Sequence, residues 1–143
     1  MKVEWVLLAE GLGQDAKGAI TAISINQNVL ATATLPVTTK RAVVAHLITD
    51  QAEVEAGDKL TVRFSVTSPG GKVIAATTAQ ATIGPGQWPD LPVTFDFPVE
   101  LVVTYNEYGT HFFEVAVQGG DSSETSGRIE FYVVNGPDSQ PQQ

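Results

Sequence analysis

Apolar and polar residues alternate with a period of two along most of the chain, the spacing that sends successive side chains to opposite faces of a strand. Leu60, Val62, Phe64 and Val66 alternate with Thr61, Arg63, Ser65 and Thr67. Ser68-Pro69-Gly70-Gly71 follows, in which proline presets φ and the glycines accept positive φ, so the chain turns there. Val73, Ala75, Thr77, Ala79, Ala81 and Ile83 then form a second inward row of mostly small side chains. Together these segments predict a β-hairpin. Farther on, Val93, Phe95, Phe97, Val99, Leu101 and Val103 share one phase, with Asp96 and Glu100 on the other. Pro98 within that run marks an edge, a bulge or a change of sheet. Phe113, Val115 and Val117, then Ile129, Phe131 and Val133, give two more strands joined by the polar segment 119–127.

The first third is less regular. Val3 to Ala9 is almost continuously apolar, as expected for a strand near a sheet centre, and Ile20 to Ile25 is a second strand reached through a glycine-bearing loop from Gly11 to Gly18. Val29 to Leu35 reads as a short strand or an extended connection. The segment Lys40 to Ala56 fits two templates: Val43, Val44, Leu47 and Ile48 make a helical stripe, whereas Val43, Ala45 and Leu47 alternate. Its β-branched content and all-β surroundings favour strand. Turn signals recur at roughly ten-residue spacing, the pattern of an antiparallel sandwich or barrel. The prediction is an all-β, immunoglobulin-like antiparallel β-sandwich of seven to eight strands over residues 1–134. Residues 135–143 contain two prolines and three glutamines and no apolar residue, and are expected to form a disordered tail.

Composition narrows the chemistry. At 143 residues the chain has the size of one domain and buries enough surface to fold without staples. It has no cysteine, which removes disulfides, thiolate zinc sites, iron–sulfur ligation and a cysteine nucleophile. Its net charge of −8 opposes binding to a phosphate backbone, so no nucleic-acid partner is expected. Glu4 and Glu10 interrupt the N-terminal apolar run, and no window reaches the length of a membrane span. The expectation is therefore a cytoplasmic protein that does not engage a membrane. The charge is uneven: residues 1–72 carry seven acids and seven bases, while residues 73–143 carry nine acids and Arg128 as the sole base. If the later strands share a sheet, those acids make one face negative.

Three stretches together support a resemblance: Val3-Glu4-Trp5-Val6-Leu7-Leu8-Ala9-Glu10, Lys59-Leu60-Thr61-Val62-Arg63-Phe64, and Tyr108-Gly109-Thr110-His111-Phe112-Phe113-Glu114-Val115. With the hairpin Ser68-Pro69-Gly70-Gly71-Lys72-Val73-Ile74 and the proline-flanked Leu91-Pro92-Val93-Thr94-Phe95-Asp96-Phe97, the chain resembles a family of small, uncharacterised bacterial β-sandwich proteins of actinobacterial type. That resemblance spans residues 3–134. It implies a compact sandwich and brings no catalytic residue or cofactor with it.

No catalytic constellation emerges from the residues themselves. His46 and His111 stand alone, without the spacing of metal ligands, and read as structural or surface residues. No Gly-x-Ser-x-Gly elbow is present, and Gly11-Leu12-Gly13 lacks the third glycine of a dinucleotide fingerprint. Asp96, Glu100, Glu114 and Glu130 fall on the polar phases of strands, where solvated charges belong, so a paired-carboxylate hydrolase is a minor alternative. Asp121 and Glu124 in a Ser/Gly loop make a weak calcium candidate. The aromatic loop residues hold more interest: Trp88 in Gly84-Pro85-Gly86-Gln87-Trp88-Pro89, and Tyr105 and Tyr108 flanking Asn106-Glu107. The leading expectation is a non-enzymatic interaction module without metal or cofactor, binding another protein or a second copy of itself at a loop end or an acidic face. The alternative is a small-ligand or carbohydrate binder built on Trp88, Tyr105, Glu107 and Tyr108.

Overall fold

The computed structural model describes residues 1–17, 19–25, 28–50, 54–84, 90–119 and 124–138. Nine strands occur among them: β1 (Lys2–Gln14), β2 (Ile20–Ile25), β3 (Val29–Thr32), β4 (Val37–Thr49), β5 (Lys59–Thr67), β6 (Val73–Thr82), β7 (Val93–Tyr105), β8 (Gly109–Gln118) and β9 (Glu124–Asn135). They form a four-stranded sheet in the order β2-β1-β4-β7 and a five-stranded sheet in the order β3-β9-β8-β5-β6. The fold is an all-β sandwich, and every pairing is antiparallel except that of β3 with β9. No helix long and apolar enough to cross a membrane occurs among the described residues.

The alternation does what its period requires. The predicted hairpin forms as β5 and β6, from Lys59↔Thr82 to Thr67↔Val73 with a bulge beside Thr67. Its turn is closed by Ser68, whose carbonyl accepts from the Gly71 N–H and whose own N–H donates to the Lys72 carbonyl. Gly71 has φ of 87°, the left-handed conformation that favours glycine at such a turn. Leu60, Val62, Phe64 and Val66 of β5 meet Phe113, Val115 and Val117 of β8 and Phe131 and Val133 of β9 on the inner face. Across the interior, Val43, Ala45 and Leu47 of β4 and Leu101 and Val103 of β7 supply the opposing layer. At about 25 cal/mol per Å² of apolar surface removed from water, this two-layer burial is the main stabilising contribution.

Residues 37–49 are strand, which resolves the ambiguous segment. Pairing with β1 on one side and β7 on the other makes β4 a central strand, and Ala42 to Ala45 are consecutively buried there. A continuous buried run of that kind satisfies a helical template without being one. The expected Gly11–Gly18 loop is shorter than its glycines imply. β1 continues to Gln14, and Gly11 and Gly13 pair with Ile23 and Thr21. The turn itself is made by Asp15, whose carboxylate accepts from the N–H groups of Lys17 and Ala19. At the other end, β9 runs to Asn135, one residue past the expected boundary. The Gly136 N–H donates to the Thr32 carbonyl and Asp138 accepts from the Ala33 N–H. Residues 139–143 of the expected tail lie outside the described residues.

Gly127 marks where β9 presses against β1. A Cβ there would lie 2.8 Å from Val3 Cγ1 and 3.3 Å from Val6 Cγ2. Gly127→Ala is expected to destabilise the fold by about 1–3 kcal/mol, as overpacking does. Urea unfolding measures it, and Val3→Ala in the same chain should recover part of the loss as a positive coupling.

Candidate functional site

The inward row of β4 is apolar from Leu47 back to Val43 and then continues as Arg41 and Thr39. Register places Arg41 opposite Leu101, and Thr39 opposite Val103. Arg41 is therefore directed between the sheets, and it is 7% exposed. Its guanidinium carbon lies 5.0 Å from the centroid of the Phe131 ring, a cation–π contact that offsets part of its desolvation. No carboxylate among the described residues pairs with it, and its Nε–H has no hydrogen-bond partner.

Tyr105 ends the inward row of β7 and is fully buried. Its ring stacks on Phe131 at 5.4 Å and meets His111 edge-on at 5.1 Å. Burial pushes the phenol up to about 12 despite the opposing charge of Arg41 and the nearby Thr39 hydroxyl. Neither hydroxyl has a well-formed hydrogen bond among the described residues. His111 is also fully buried, with Nδ1 3.2 Å from the Gly109 carbonyl. A carbonyl oxygen only accepts, so Nδ1 carries the proton and Nε2 of the neutral ring is an acceptor without a partner. Burial lowers the His111 pKa, opposed by the Gly109 contact and the charge of Glu107, which keeps the ring neutral near pH 7. Four unpartnered polar groups, belonging to Thr39, Arg41, Tyr105 and His111, thus lie in one neighbourhood of the interior. Buried polar groups are nearly always paired, so such a concentration needs an explanation.

A second cluster occupies the outer face of the four-stranded sheet. Trp5 stacks on His46 with centroids 4.8 Å apart and planes 7° from parallel. His46 Nδ1 lies 2.6 Å from Asp96 on β7, and Nε2 lies 3.5 Å from Glu4 on β1. The two carboxylates engage opposite ring nitrogens and do not converge on one point. Accordingly, no group of metal-ligating side chains is found among the described residues. Trp5 is 42% exposed, and Ile23, Ile25 and Val102 are at least half exposed. Leu7, Val44 and Pro98 fall in one cross-strand row of this face, and Ile25, Ala9 and Ala42 in the next. The outer face of the five-stranded sheet is mixed, with Val29 of β3 and Val134 of β9 exposed near its edge. Toward β5 and β8, Thr61, Arg63, Ser65, Glu114, Ala116, Glu124 and Arg128 line shallow grooves of mixed character, the larger of about 460 Å³, and Arg128 covers Phe112 at 4.4 Å.

The residues singled out from sequence are dispersed. Trp88 and Asp121 lie outside the described residues. Tyr105 is an interior residue, so it offers no ring to a ligand at the surface. This corrects the expected stacking platform, because Tyr105 keeps the inward phase of Leu101 and Val103. Tyr108 is partly exposed, and its hydroxyl donates to the Thr32 carbonyl at 3.1 Å, tying the β7–β8 turn to β3. Glu107 is exposed beside Gly70 of the β5–β6 turn. Glu124 opens β9 on the rim of the polar groove. The expected single acidic face does not form either. Asp96 and Glu100 lie on β7 in the four-stranded sheet, whereas Glu114, Glu124 and Glu130 lie on β8 and β9 in the other. Lys40 further offsets Glu100 at 3.3 Å.

No protein-family model matches the chain, and no curated protein matches it. Among solved structures it is similar to a glycosyl hydrolase family 2 member from Bacteroides cellulosilyticus DSM 14838, at 12% identity and a TM-score of 0.49. That match covers 80% of this chain and only 17% of the hydrolase. It is also similar to the N-terminal domain of PorA, at 14% identity and a TM-score of 0.37, over 90% of this chain and 97% of that domain. Likeness at this level carries no argument about activity.

The Tyr105 shift has a definite sign in stability. Its phenol holds its proton up to about 12 in the folded chain and releases it near 10.0 in the unfolded chain. The contribution is complete below the unfolded value and is lost as pH rises through that window. Stability measured by urea unfolding should therefore fall between pH 10 and about 12, and Tyr105→Phe should flatten that fall.

Proposed function

We propose that this chain is a non-catalytic interaction module that binds a partner protein through the outer face of its four-stranded sheet. The observation that carries this reading is the contrast between the two outer faces. An antiparallel sandwich normally presents polar residues to solvent on both. Here the five-stranded sheet is mostly polar along β5, β8 and β9 but exposes the valines Val29, Val73 and Val134. The other exposes the larger Trp5, Ile23 and Ile25, with Val102, beside the apolar rows of Leu7, Val44, Pro98, Ala9 and Ala42. Exposed apolar surface rimmed by polar groups is characteristic of contact surfaces, and tryptophan is enriched among the residues that dominate their energetics. Glu4, Asp96 and the Lys40–Glu100 ion pair border the patch, so the matching surface is apolar with a polar rim. Among the described residues Asp96 and Glu100 are divided from Glu114, Glu124 and Glu130 by the two sheets, which favours a binding role over two-carboxylate hydrolysis.

A second reading has one specific observation in its favour. The Trp5 indole is held flat by His46 with the carboxylates of Glu4 and Asp96 nearby, and an aromatic plane beside hydrogen-bonding acids suits the apolar face of a sugar ring. This moves the carbohydrate alternative from the loop aromatics to the sheet face.

Two experiments separate these readings. With the purified chain immobilised, a partner retained from an extract of its own source should bind about tenfold or more weakly to Trp5→Ser/Ile25→Ser, and unchanged to Arg63→Gln on the opposite face. Equal retention by all three would exclude the four-stranded face. Under the carbohydrate reading, neutral oligosaccharides shift the tryptophan fluorescence of the intact protein and of Trp88→Phe, and leave that of Trp5→Ala unchanged. Absence of any shift removes that reading.

A further inference from the structure

The interior cluster around Phe131 is independent of the outer-face reading. Three of its members offer hydrogen-bond donors: the Arg41 Nε–H, which has no partner, and the Tyr105 and Thr39 hydroxyls, which lie near one another without a well-formed bond. Arg41 adds a full positive charge at 7% exposure with no carboxylate paired to it among the described residues. A buried charge without a counter-charge is strongly unfavourable, and a cation–π contact with Phe131 offsets only part of the cost.

The topology also gives this corner an approach. The ladder between β1 and β4 ends at Ala9↔Ala42, where β1 turns its pairing over to β2. From Arg41 to Val37, β4 is bonded only to β7. Arg41 is therefore the first residue beyond the point where the four-stranded sheet loses a strand. Arg41 keeps 7% of its surface exposed, and the apolar ring of Phe131 backs the guanidinium.

We infer that Arg41, Tyr105 and Thr39 form a binding site for a small monovalent anion of the size of chloride, nitrate or formate, which supplies the counter-charge Arg41 lacks. The anion accepts from the Arg41 Nε–H and from the two hydroxyls. These three donate, as an anion site requires, and donors to a charged acceptor make the stronger class of hydrogen bond. The fourth unpartnered group, His111 Nε2, is an acceptor and favours water, the competing occupant that the test separates. A small anion is specified because the donors lie among buried side chains: Tyr105 packs on His111 and Phe131, and Arg41 on Phe131.

The test is thermal unfolding of the intact chain at fixed ionic strength, with chloride, nitrate or formate replacing gluconate, which is too large to enter. Binding to the folded state alone should raise Tm with the logarithm of anion concentration, by about 4 °C at ten times Kd. Arg41→Met, which keeps the packing on Phe131 without the charge, should abolish the dependence, and Tyr105→Phe should weaken affinity about tenfold. Chlorine-35 line broadening by the intact protein, reversed by formate, gives a readout that does not need the Arg41 variant to fold. Equal Tm in gluconate and chloride, as water alone in the cluster would give, overturns the site. So does a chloride dependence that survives Arg41→Met, or the absence of displaceable broadening.

Discussion

The register of β4 is the constraint from which both clusters follow. Side chains of a strand alternate with a period of two, so placing Val43, Ala45 and Leu47 in the core commits every other residue of the strand. Arg41 and Thr39 are carried inward by the same phase, and Lys40 and His46 are carried out. A slip by one residue would bury Lys40 and His46 and expose the core valine and leucine. Burial of the apolar layer outweighs the cost of one desolvated cation, so the sheet keeps this register and carries Arg41 inward with it.

That same register builds the outer face. His46 stands between Trp5 on β1 and Asp96 on β7, so one cross-strand row holds a tryptophan, an imidazole and a carboxylate. Its neighbours in the next rows are Val44 and Ala42, both buried although they point away from the core. A central strand that is apolar on both faces is what a sheet covered on both sides would have. The five-stranded sheet keeps threonines, serines and arginines along β5, β8 and β9, and its exposed apolar residues are valines without an aromatic anchor like Trp5. The asymmetry between the two sheets, more than any single residue, motivates a binding role.

Much of this was legible in the sequence, and the failures have physical causes. The β5–β6 hairpin was readable because its alternation and turn chemistry are local. Tyr105 and Arg41 were also within reach: each extends an inward phase that was recognised, Leu101–Val103 and Val43–Leu47, by one more step. Trp5 was not. Val3 and Trp5 have the same parity, yet a bulge between them puts Val3 inside and Trp5 outside, and a bulge depends on the partner strand's register. The acidic face failed for a topological reason. β7 lies in the other sheet from β8 and β9, so acids that are neighbours in sequence are divided in space. Net charge read along a chain says little about a face when consecutive strands change sheets.

The absence of native cysteine makes the central claim directly measurable. Single cysteines placed along β4 and treated with a maleimide report which phase faces solvent, because an interior thiol reacts only through opening of the fold. Lys40→Cys and His46→Cys should react rapidly in the folded protein. Arg41→Cys, Val43→Cys and Leu47→Cys should react slowly, and all five should react alike in denaturant. Rapid labelling at 41, 43 and 47 with protection at 40 and 46 would show the opposite register and contradict the placement of both the interior cluster and the outer face.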